Sequence, residues 1–131
     1  MTRDGPLWVV LLAVGAGAVL GAWSRWALSH WLNPRLELLP LGTLAANLVG
    51  AYLIGVALGL FALHPALSPT VRLVVVTGFL GGLTTFSTFS AESAGLLQGG
   101  QWNAALVHAL LHVAGSLVAT FAGIATIRAL A

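Results

Sequence analysis

Fourteen residues, Thr77 to Ser90, read T-G-F-L-G-G-L-T-T-F-S-T-F-S, and nine of them are Gly, Ser or Thr. They sit at the middle of a long apolar run. Gly78, Gly81 and Gly82 weaken a helix there, while the hydroxyls of Thr84, Thr85, Ser87 and Thr88 can recapture the backbone groups that a break sets free. Irregular backbone at membrane depth survives only when buried in protein or lining a wet cavity, so this density predicts a helix broken at the midplane and an ion or substrate site. The competing reading is a packed polar seam with no site. Phe86 and Phe89 are three apart, and Glu92 continues the same ridge by another three. Phenylalanines at this spacing ordinarily pack in a core, but their ring edges carry partial positive charge and can approach an anion without trapping it as a full cation would.

A second set of polar residues runs through the last apolar stretch. His108, His112, Ser116 and Thr120 follow at strict four-residue spacing, which places them in one track on a helix. Two His at i and i+4 can bind a metal, yet no helix supplies an obvious third ligand of the same kind. The spacing also permits an axial haem ligand, and interhelical hydrogen bonding explains it as well as a pore-lining track does. Depth counting adds Asn47, Arg25 and Glu92. At about 1.5 Å per residue these three and His108 all lie roughly 8–10 Å below the same membrane edge. Polar groups at that depth are costly unless paired or facing water, so Arg25 and Glu92 are expected to pair structurally. Asn47, with Thr43 one turn away, offers neutral donors suited to a pore wall. Enzyme chemistry is poorly provided for: there is no G-x-S-x-G elbow, no paired carboxylates, and one membrane-embedded acid.

These residues need long apolar helices to position them, and the composition supplies little else. Of 131 residues 59% are hydrophobic and 6% charged, where a soluble domain carries about a quarter charged residues. Five Arg against three acids, with no cluster of either sign, give no nucleic-acid footprint. The absence of Cys excludes a disulfide scaffold, a thiolate metal site and a cysteine nucleophile. Pro6, Pro34, Pro40, Pro65 and Pro69 fall between the apolar stretches, because proline lacks a backbone donor and restricts the residue before it. With Gln98-Gly99-Gly100-Gln101 dividing the remainder, the chain resolves into four spans near 7–32, 41–63, 70–97 and 102–129. Each exceeds the roughly 20 residues that cross about 30 Å of hydrocarbon as a helix. The chain is therefore one all-α, four-span transmembrane domain over residues 1–131. The first stretch is read as a span rather than a signal peptide, since its apolar run continues past Arg25 to Leu32.

Trp8, Trp23, Trp26, Trp31 and Trp102 stand near span ends, where indole rings prefer to sit half wet. Gly17 and Gly21, Gly55 and Gly59, and the series Gly42, Ala46, Gly50 are four apart and mark seams of close backbone approach, within the protomer or between protomers. Four spans put both termini and Arg72 on one side, the near side, with Arg3 and Arg128. Arg25 and Arg35 fall on the far side. Three against two is too even for positive charge to choose an orientation: it fits insertion both ways round and a narrow win for one orientation about equally.

G-A-W-S-R-W at Gly21 to Trp26, G-T-L-A-A-N-L-V-G at Gly42 to Gly50 and T-G-F-L-G-G-L-T-T-F-S-T-F-S-A-E at Thr77 to Glu92 resemble the signatures of the CrcB/Fluc fluoride channels. The resemblance covers nearly the whole chain in order. It implies a channel of the prokaryotic inner membrane that exports fluoride passively, built as an antiparallel dual-topology homodimer with two pores. It assigns Asn47, Phe86 and Phe89 to the pore wall, with Thr43, Ser116 and Thr120 as further pore-lining positions and Glu92 at a pore mouth. It implies a structural Na⁺ on the dimer axis, held by the backbone carbonyls of Gly81 and Thr84 from both subunits. Where relatives often carry Tyr one turn before Ser116, this chain has His112. Two other readings use the same elements: a dual-topology proton-coupled exporter of the small multidrug type, whose mechanism wants a carboxylate that the first span lacks, and a haem-carrying membrane anchor using His108 or His112.

Overall fold

In the computed structural model the described residues are 5–33 and 39–131; Arg3, Pro34 and Arg35 lie outside them. Four helical segments are long and apolar enough to cross a membrane: Leu7–Leu32, Leu41–Leu63, Pro69–Gln98 and Trp102–Leu130. The boundaries fall within a residue of those expected from prolines and hydropathy. The first two spans are single helices, α1 (Leu7–Leu32) and α2 (Leu41–Leu63). The third is bent and divided into α3 (residues 69–83) and α4 (Phe86–Gln98), and the fourth is α5 (Trp102–Leu130).

Local chemistry sets the ends. Ser68 caps α3, its hydroxyl oxygen accepting from the Val71 N–H at 3.3 Å, with Pro69 at the first helical position, where its missing donor costs nothing. Gly100 adopts φ +72°, the left-handed conformation that closes α4: Gly100 N–H donates to the Leu97 carbonyl and Gln101 N–H to that of Leu96. Between α1 and α2, the Asn33 carboxamide oxygen accepts from Gly42 N–H at 2.7 Å. At the other end of α2, the Arg72 guanidinium reaches the carbonyls of Phe61, His64 and Pro65 and lies 4.9 Å from the Phe61 ring centre. A cation there complements the negative end of the helix dipole.

The spans pack as two intimate pairs, α1 with α3 and α2 with α5. Glycine makes both possible. A Cβ on Gly21 would run into the Phe79 carbonyl oxygen and the Leu83 nitrogen, and one on Gly82 into the Ala18 carbonyl. Gly55 and Gly123 oppose each other in the same way between α2 and α5. Without a hydrophobic drive between helices in lipid, this backbone approach is what supplies van der Waals contact. The glycine seams therefore lie inside the protomer. Apolar side chains face outward, including Trp8, Trp23, Trp26, Trp31 and Trp102, each 64–68% exposed. A small core of Ala46, Leu80 and Leu83 sits where α2 meets the end of α3.

Candidate functional site

The third span departs from regular α-helix over more than its break. After one α-turn at Pro69–Arg72 it widens into a π-helical stretch, Leu73–Leu80, and returns to α-helix only for Gly81–Leu83. Thr84 (φ −85°, ψ 156°) and Thr85 (φ −153°, ψ 116°) are then fully extended before α4 begins. The extended step lies at the middle of the 30-residue span, as its Gly, Ser and Thr content predicts.

Freed backbone groups find partners one by one. Thr84 Oγ1 donates back to the Leu80 carbonyl at 2.8 Å. Thr85 Oγ1 accepts the Thr88 N–H at 3.1 Å and so caps α4. Asn47 on α2 completes the repair: its Oδ1 accepts from Thr85 N–H at 2.7 Å and its Nδ2 donates to the Thr85 carbonyl at 3.0 Å. The same Nδ2 lies 3.1 Å from His112 Nδ1 on α5. A neutral carboxamide carries an acceptor and a donor side by side, and so satisfies the N–H and the carbonyl of one residue at once. Asn47 is thus the clamp of the break, a part that depth counting did not foresee. Among the described residues the carbonyls of Gly81 and Thr84 receive no backbone donor across this step.

The break opens onto a groove of about 490 Å³ lined by Asn47, Gly81, Thr84, Phe86, Phe89 and Ser116, with His112 beside them. Phe86 stands 77% exposed, its ring 5.4 Å from that of Phe89. Two residues expected at a pore wall lie outside this groove. Thr120 donates its hydroxyl to the Ala51 carbonyl at 3.0 Å, in the seam between α5 and α2. Thr43 is buried, and its Oγ1 donates to Glu92 Oε1 at 2.6 Å.

Nor does Glu92 pair with Arg25. Its other oxygen lies 3.2 Å from His108 Nε2, the one ion-pair contact among the described residues. Arg25 instead lines a separate pocket with Trp26, Ser29, Thr43, Thr85 and Thr88. The expected pair is replaced by two separate sets of neighbours, Thr43 and His108 for Glu92 and the pocket residues for Arg25.

Residues 12–124 match the family described as CrcB-like protein, Camphor Resistance (CrcB). The chain belongs to the CrcB family. Among similar proteins, the Fluoride-specific ion channel FluC of Chromohalobacter salexigens is 60% identical over 124 residues, covering 95% of this chain and 94% of its own length. Proteins of the same name from Aromatoleum aromaticum (56% identity, 90% of each chain) and Cupriavidus pinatubonensis (55% identity, 97% of this chain and 99% of its own) are similar as well.

Proposed function

We propose that this chain is a fluoride-selective channel that lets fluoride leave the cell passively across the inner membrane. The observation that carries the reading is the groove at the break, lined by neutral donors and ring edges, in a chain whose relatives over nearly full length are named fluoride-specific ion channels. Fluoride is small and tightly hydrated, so a pore must replace lost water closely without a charged well that would hold the ion. The Ser116 hydroxyl and the positive edges of Phe86 and Phe89 meet that demand. Asn47 contributes by fixing the Thr84–Thr85 step from which α4 starts, and hence the direction in which both phenylalanines project.

The groove opens sideways out of the four-helix protomer. Polar break residues facing lipid are costly, and a second copy is the economical cover. An antiparallel homodimer places two third spans across one another and gives each groove a second wall; the near-even arginine distribution fits a protein that inserts in both orientations. The same axis gathers the Gly81 and Thr84 carbonyls of both copies. Those residues fit a structural Na⁺: both line the groove, neither carbonyl takes a backbone donor across the break, and the Thr84 hydroxyl is already committed to Leu80. Four carbonyl oxygens with no carboxylate suit a hard monovalent cation.

The test is ion efflux from liposomes carrying purified protein, followed with fluoride- and chloride-selective electrodes. Rapid fluoride loss with retained chloride is expected. Equal loss of both halides, or no loss above protein-free vesicles, refutes the proposal.

A further inference from the structure

Beside the groove, which His112 also lines, α4 and α5 bring together three ligating side chains. Glu92, His108 and His112 each offer one ligand atom, and these atoms all lie within 4.8 Å of one another. Hydrogen bonding decides which atoms are available. His108 Nδ1 is engaged by Ser93 Oγ at 3.0 Å, leaving Nε2 directed at Glu92 Oε2. Glu92 Oε1 is taken by the Thr43 hydroxyl, leaving Oε2. His112 Nδ1 is engaged by Asn47, and its Nε2 is buried with no hydrogen-bond partner. Both imidazoles are almost wholly enclosed, at 2% and 5% exposure. A buried polar nitrogen without a partner is costly and calls for an explanation.

We propose that Glu92, His108 and His112 form a binding site for a transition-metal dication, with Zn²⁺ the best fit. Two imidazoles and one carboxylate with a fourth position open is a donor set that zinc favours, and imidazole selects against Mg²⁺ and Ca²⁺. Tetrahedral Zn²⁺ with bonds of about 2.0–2.2 Å holds its donors about 3.3–3.6 Å apart, so small side-chain rotations close the cluster. Glu92 and His108 already stand at 3.2 Å. The outer partners are in place as well: Ser93 orients His108 and Thr43 orients Glu92.

His112 couples the site to the break. Asn47 presents an amide N–H to Nδ1, so in the metal-free protein the ring proton sits on Nε2. Binding of a metal at Nε2 moves that proton to Nδ1, where it confronts the Asn47 NH₂ and ends the contact. Phe89 lies against both rings, with centroids 5.2 Å from His108 and 4.6 Å from His112. A dication here therefore disturbs Asn47 and Phe89 together and adds a deep electrostatic well beside the anion path, which slows release. Zinc inhibits fluoride flux. This effect on flux rests on the channel reading; the binding site does not.

The experiment uses purified full-length protein titrated with Co²⁺, whose four-coordinate complexes absorb strongly in the visible, followed by displacement with Zn²⁺. In parallel, fluoride efflux from liposomes is measured with and without Zn²⁺. Expected are a visible Co²⁺ band titrating to one metal per chain, its displacement by one equivalent of Zn²⁺, and zinc inhibition of efflux. His108→Gln, His112→Gln and Glu92→Gln should each weaken binding at least about 100-fold, since loss of even an outer partner of a metal-bound imidazole costs about 10–100-fold. His30→Gln/His64→Gln, which removes the remaining imidazoles, should leave the band intact. A variant that fails to elute as folded protein is replaced by either of the other two. Absence of the band in a protein that conducts fluoride overturns the site and spares the channel reading. Retention of the band in all folded ligand variants, or its loss in His30→Gln/His64→Gln, overturns the site as well. Site-specific binding by a protein that conducts no fluoride upholds the site and refutes the channel reading.

Discussion

Replacing Asn47 with Ala should unfold the break as well as impair flux. Thr85 is 7% exposed, and both its N–H and its carbonyl are satisfied by the Asn47 carboxamide, at 2.7 and 3.0 Å. Alanine removes both partners at once. A buried backbone group left unsatisfied costs about 1–3 kcal/mol, so the pair costs about 2–6 kcal/mol; if water enters the break, the loss falls to the net worth of two hydrogen bonds, about 1–3 kcal/mol. Even the lower figure is a measurable share of the ~5–15 kcal/mol that holds a domain together. The measurement is thermal unfolding of the variant and parent in the same detergent, with liposome efflux run on the same preparations. A clear drop in the unfolding midpoint together with slowed fluoride efflux is expected. A variant as stable as the parent that still loses flux would refute the clamp and return Asn47 to the simpler part of a donor in the pore wall.

Phe86→Leu should slow fluoride efflux several-fold with the protomer's unfolding midpoint nearly unchanged, because the ring is exposed in the protomer and leucine keeps bulk while removing the positive edge. Gly82→Ala should lower the unfolding midpoint by the equivalent of about 1–3 kcal/mol, since its Cβ meets the Ala18 backbone, whereas Gly95→Ala, with nothing within 4 Å, should raise it by the equivalent of about 0.5–1 kcal/mol. Tags on the C-terminus should be found on both membrane faces, and two added Arg at that terminus should bias orientation and reduce efflux until an oppositely biased copy is co-expressed. Exhaustive replacement of Na⁺ by a large organic cation should weaken dimerisation, measured by cross-linking yield, and unchanged dimerisation would remove the axial ion.

The sequence alone determined what depends on one dimension. Four apolar runs divided by prolines and a Gly-Gly pair became four spans with ends placed to within a residue, because hydropathy and the loss of a backbone donor act locally. The break was equally legible, since glycine weakens a helix and a threonine hydroxyl recaptures its carbonyls whatever surrounds them. Counting residues at a fixed rise placed Asn47, Glu92, Arg25 and His108 at one level, whereas Asn47 pairs with Thr85 and His112, about a turn from where Thr43, Glu92 and His108 meet. Only the tertiary structure decided which of them meet. Rise along an axis says nothing about rotation around it, and rotation is fixed by the glycine seams that lock α1 on α3 and α2 on α5. Those crossings turn Glu92 toward Thr43 and His108 and away from Arg25, send the Thr120 hydroxyl to Ala51, and bring Asn47 under Thr85. The third ligand that the histidine pair lacked in sequence arrives by the same route, because Glu92 and His108 belong to different helices and their side chains meet only after those helices pack.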